Sequence, residues 1–113
     1  MAYDEELADR VRSVVEGEPA LTERRMFGGL AFLVHGNMAV SASGQGGLLL
    51  RVDPGRTDSL VDHGHVRRFE MRGREMDGWL HVDVEAVETD EELRRWVEHG
   101  LTYARSLPPK PAP

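Results

Sequence analysis

The sequence contains no cysteine. That removes disulfide staples, thiolate nucleophiles and cysteine-ligated zinc from consideration. Lysine is nearly absent too: Lys110 stands alone against thirteen arginines. Aromatic residues make up 6% of the chain, and no apolar run approaches the ~20 residues that a membrane span requires. A secretory signal would open on a basic segment, but Asp4, Glu5 and Glu6 stand there instead. Net positive charge is also missing. The formal charge is −6 and the pI is near 5.3, so autonomous, charge-driven binding of duplex DNA is not expected. What remains is one soluble cytoplasmic domain. Its 113 residues, 40% of them apolar, suffice for one core and are too few for a dinucleotide-binding enzyme with a second domain.

Charge is unevenly spread. Residues 1–20 and 83–113 are net acidic, whereas residues 21–82 are nearly neutral and glycine-rich. The first segment predicts a helix, with Asp4 as cap, Glu5 and Glu6 in its first turn, Gly17 as stop, and one stripe of Leu7, Val11, Val14 and Val15. The runs Thr22–Phe27, Leu30–His35, Met38–Ser43 and Leu48–Val52 then predict an antiparallel meander, since no crossover long enough for parallel strands separates them. Gly28-Gly29 marks a bend, and Gly36-Asn37 a two-residue hairpin turn. Asp53-Pro54 starts a short helix that Gly64 ends. Val66–Met71 and Trp79–Val84 follow as strands around a turn near Arg72–Gly78. A capping box of Thr89 and Glu92 opens the last helix, whose stripe is Leu93, Trp96, Val97, Leu101, Ala104 and Leu107. Gly100 inside that helix implies a close approach to the sheet. The expectation is a two-layer α+β domain over residues 1–107, with five to six antiparallel strands in the order α-β-β-β-(β)-α-β-β-α. Residues 108–113 form a proline-rich, flexible tail.

Candidate chemistry is sparse. His63-Gly64-His65 has a metal-like spacing, yet no HExxH motif or carboxylate-rich companion accompanies it, and a helix-ending turn explains it equally well. Ser41, Ser43 and Ser59 lie in no G-x-S-x-G elbow. Gly44–Gly47 lacks the Lys-Ser/Thr of a phosphate loop and sits between strands. Arg24, Arg25, Arg51, Arg67, Arg68, Arg72 and Arg74 fall in the sheet region, where alternation places Arg51 and Arg68 on the open face. They suit an anionic partner, but surface pairing with Asp53, Asp58, Glu70, Glu75 and Asp77 carries more weight. Met26, Phe27, Met38, Met71, Met76, Trp79 and Trp96 belong to the core or, if they project from an uncovered sheet face, to a partner or homodimer patch.

Arg25-Met26-Phe27-Gly28-Gly29, Phe32, Gly36-Asn37-Met38 and Leu50-Arg51-Val52 form an ordered series. Phe69-Glu70-Met71, Gly78-Trp79-Leu80, Trp96-Val97, Tyr103-Ala104 and Ser106-Leu107-Pro108 continue it. Over residues 5–110 this series resembles the TfoX N-terminal domain family, the first domain of the TfoX/Sxy competence regulators. The resemblance implies a two-layer α/β domain similar to secretion-chaperone-like folds, with no catalytic residues and no cofactor. It implies action as a co-activator beside a transcription regulator, the cyclic-AMP receptor protein. It also assigns structural jobs: Gly28 and Gly29 for a tight bend, Trp79 and Trp96 for the core. The expectation is therefore a non-enzymatic regulatory or adaptor domain that binds a protein partner through the open sheet face and its rim, including Arg25, Arg51, Arg68 and Trp79. The alternative is a small ligand-binding protein or enzyme built on His63, His65, His81 and neighbouring acids.

Overall fold

A computed structural model describes residues 3–26, 28–61 and 64–110. Phe27 and His63, both singled out above, lie outside the described residues. Helix α1 spans Glu5–Val15, and the Asp4 carboxylate accepts the Leu7 N–H at 3.1 Å to cap it. Four strands follow: β1 (Leu21–Met26), β2 (Gly29–Val34), β3 (Asn37–Ala42) and β4 (Leu48–Arg51). A 3-10 turn at Pro54–Arg56 leads into the four-residue helix α2 (Thr57–Leu60), then β5 (Val66–Met71) and β6 (Arg74–Val82). A second 3-10 turn at Val84–Val87 precedes helix α3 (Asp90–Ser106), which opens on the expected Thr89–Glu92 capping box.

The six strands form one antiparallel sheet in the order β1-β2-β3-β4-β6-β5. The α+β expectation holds, and the optional fourth strand is present. Helices α1 and α3 pack on one face, where Val11, Val15, Leu93, Val97 and Leu101 meet Phe32, Val40, Leu48, Leu50, Leu80 and Val82. Burying each such side chain stabilises the fold by about 1.5–3 kcal/mol.

Two irregularities shape the sheet. Phe32 lies opposite Val40 but Leu33 lies opposite Met38, so Ala39 is one residue too many. This bulge turns both Ala39 and Val40 toward the helices and leaves Met38 on the far face. Helix α3 crosses here with Gly100 against the Ala39 carbonyl, the close approach the sequence predicts. On β6 the pairing jumps from Met76–Phe69 to Leu80–Arg68, which bulges Asp77, Gly78 and Trp79.

Several boundaries differ from the sequence reading, among them the end of the last strand at Val82 instead of Val84. The β2–β3 turn is His35-Gly36, with φ of +51° and +81°, instead of Gly36-Asn37. Asn37 starts β3 because its buried amide has another partner: Nδ2 donates to the Pro108 carbonyl at 3.0 Å. Lys110 N–H donates to the His35 carbonyl at 2.8 Å, so the proline-rich segment is held on the hairpin at its start. Residues 111–113 lie outside the described ones. Strand β6 begins at Arg74, not Trp79, and the turn before it is only Arg72-Gly73. Its first part pairs with β5 alone, an overhang whose polar sequence shows little apolar alternation. Helix α2 stops at Leu60 instead of running to Gly64.

Candidate functional site

The face of the sheet away from the helices carries an apolar cluster. Ala31, Leu33, Met38 and Leu49 cluster there with Met26, Phe69 and Trp79, and no helix residue joins them. Where the β5–β6 overhang begins, Leu49, Phe69, Met71, Met76 and Trp79 line a cavity of about 200 Å³. Met71 is 37% exposed beside it. The Trp79 ring is aimed by the bulge behind it. Gly78, at φ +85°, donates its N–H to Thr57 Oγ1 at 2.7 Å and accepts the Val52 N–H at 2.8 Å. Buried Thr57 in turn donates to the Pro54 carbonyl at 2.8 Å. A β-carbon on Gly78 would come within 3.2 Å of Pro54 Cγ and the Val52 carbonyl, so only glycine fits both the space and the left-handed φ.

Of the four residues expected at the contact surface, the structure brings two together. Arg51 lies opposite Trp79 in register. Its guanidinium carbon sits 5.4 Å from the Trp79 ring centroid and 5.6 Å from that of Tyr103 on α3. It therefore bridges the far face and the helix layer by cation–π contact. Arg68 lies opposite the core residue Leu80, on the helix-bearing side, and not on the open face. Asp58 and Asp77 hold it, the latter at 3.2 Å, which is the ion-pair reading. Arg25 is exposed opposite core residue Leu30, also on the helix-bearing side.

The histidines assemble differently from the sequence expectation. The ligating atoms of His65, Asp83 and Glu85 lie within 4.8 Å of one another, a set that could hold a cation. Asp83, however, already accepts from Arg67 Nη1 at 3.1 Å. His81 is buried, and its Nε2 donates to the Gly46 carbonyl at 2.8 Å. Its Nδ1 faces Asp83 Oδ1 at 3.2 Å without hydrogen-bond geometry.

A second concavity, of about 610 Å³, opens on the helix side between α3 and the Pro54–Arg56 turn. Arg56, Arg94, Arg95 and His99 line it together with Tyr103 and Leu60. Burial, and then the charges of Arg56 and Arg95, push the His99 pKa below its ordinary 6.5. The sequence reading gives no role to Arg56, Arg94, Arg95 or His99. The available signal was Arg95, His99 and Tyr103 at i, i+4 and i+8, a face of α3 that is distinct from its apolar stripe.

An antiparallel sheet roofed on one side by helices, with an apolar cluster on the opposite face, defines a two-layer α+β domain. The family model described as the TfoX N-terminal domain matches residues 14–104, from the end of α1 through most of α3. The chain belongs to the TfoX N-terminal domain family, a regulatory type of domain. Comparison with curated proteins gave no match. No helix among the described residues is long and apolar enough to cross a membrane.

Proposed function

We propose that this protein is a non-enzymatic regulatory adaptor, of the kind used in competence and transcription control, that works in the cytoplasm by protein–protein contact. Its family membership supports the regulatory role. The observation that carries the contact mode is the apolar cavity of Leu49, Phe69, Met71, Met76 and Trp79 on the sheet face that no helix covers. Such a recess accepts a large apolar side chain from a partner, the arrangement in which interface affinity concentrates. Arg51, stacked on Trp79, holds one wall in place. A partner presenting an apolar anchor amid acidic residues matches this face, because the exposed Arg72 and Arg74 flank the same hairpin.

The test is affinity capture with immobilised wild-type protein and a Met71→Asp, Met76→Asp variant. These side chains lie on the overhang, away from the main core, so the variant keeps its fold. A partner retained by the wild type and lost by the variant supports this surface. Equal retention by both proteins removes the face from the interaction.

A further inference from the structure

The helix-side cleft gathers three cations, Arg56, Arg94 and Arg95, that have no ion-pair partner among the described residues. Of the two acids on the same walls, Glu98 is ion-paired with Arg105, whereas Asp53 caps a turn and keeps its charge. Asp53 Oδ1 accepts the Gly55 N–H at 2.9 Å, and Glu98 Oε1 accepts from Arg105 Nη1 at 2.8 Å. Arg10, Arg12, Arg67, Arg68 and Arg105 are matched with carboxylates, whereas Arg24, Arg25, Arg51, Arg72 and Arg74 also make no ion pair among the described residues but do not line this cleft. In a chain of net charge −6, three unmatched guanidiniums against the single unpaired carboxylate of Asp53 leave a local excess of positive charge on the walls of one concavity. Val52, Leu60 and the half-buried Tyr103 ring supply an apolar wall beside them.

We propose that this cleft binds a small phosphomonoester carried on an aromatic or apolar body. Guanidinium forks pair bidentately with phosphate oxygens, and a dianion satisfies more than one of them where a single carboxylate would not. Tyr103 and Leu60 receive the body of the ligand. A volume of about 610 Å³ lies within the range of small-molecule sites. The inference stands apart from the adaptor reading, which uses the other face of the sheet.

Calorimetric titration of the intact protein with phenyl phosphate, adenosine monophosphate, inorganic phosphate and adenosine tests it. Saturable binding is expected for at least one ester, weaker binding for inorganic phosphate, and none for adenosine. Arg56→Ala and Arg95→Ala each weaken the ester by about tenfold or more, and Arg95→Lys, which keeps charge but loses the fork, falls between. Arg72→Ala, at the β5–β6 turn, removes the same charge without touching the cleft and leaves affinity unchanged. All three arginines replaced by alanine are exposed, so melting temperatures identify any variant that misfolds. In imidazole NMR, bound ester raises the pH at which His99 titrates; Arg56, Arg94, Arg95, Asp53 and Glu98 are the other charged groups on the cleft wall. Failure of both esters to saturate the wild type at about 10 mM overturns the proposal. So does an affinity that neither cleft variant changes, or that Arg72→Ala reduces as much as they do.

Discussion

The carbonyl oxygen of Ala39 occupies the space into which a β-carbon on Gly100 would project. Leu50 Cδ1, at 2.8 Å, closes the other side. Gly100→Ala should therefore destabilise by about 1–3 kcal/mol through overpacking, although alanine alone would favour the helix by about 1 kcal/mol. Urea denaturation reads the sign directly. A midpoint at or above the wild-type value would mean that helix and sheet separate at little cost.

Thr57 is the acceptor that fixes the Gly78 bulge. Thr57→Val leaves the buried Gly78 N–H without a partner and should cost about 1–3 kcal/mol. Thr57→Ser should restore most of it. Because Gly78 precedes Trp79, the valine variant should also shift tryptophan emission; an unchanged spectrum would uncouple the bulge from the aromatic wall.

Acid should release one tie between α3 and the loop ahead of β1. Arg105 donates to both Glu18 oxygens, at 2.6 and 3.0 Å, and holds its pKa below the ordinary 4.5. A carboxylate with a lowered folded pKa contributes stability above its unfolded value, and that contribution fades as pH falls through the folded one. Arg105→Met should therefore cost about 1 kcal/mol at neutral pH, allowing for solvent screening, and almost nothing in strong acid. Denaturation curves at the two pH values should converge; a gap independent of pH would assign the loss to packing.

His99 works in the opposite pH range. Its folded pKa lies below 6.5, so the unfolded chain takes up a proton first as pH falls. Stability contributed by the neutral ring is complete above 6.5 and is lost on acidification toward the lowered value. His99→Gln should flatten that part of the stability–pH profile. An unchanged slope would mean that another group sets it.

Local chemistry made much of the fold legible. The Thr89–Glu92 box, the Asp4 cap and the bounds of β5 are read from neighbours within a few residues, and apolar spacing identifies both long helices. The misreadings share a different cause. Asn37 leaves the turn for a partner 71 residues away, and the Gly78 bulge depends on Thr57, 21 residues earlier. In Met38-Ala39-Val40 the side chains are all apolar, so alternation cannot tell which residue is extra. Arg68 lies on the helix side because β5 alternates regularly and it shares a face with the core residue Val66, ahead of the β6 bulge. The basic cleft exists only where α3 meets a turn some forty residues upstream, a junction no single window of sequence contains.

Both outermost strands of the sheet are lined with charge. Glu23, Arg24 and Arg25 stand exposed along β1, and Arg67 and Glu70 along β5. Placing a neighbouring chain's backbone alongside either border would strip water from those ions, which disfavours lateral growth into ribbons or fibrils. The charged borders thus act against edge-to-edge joining of copies, leaving the two flat faces of the sheet outside that protection.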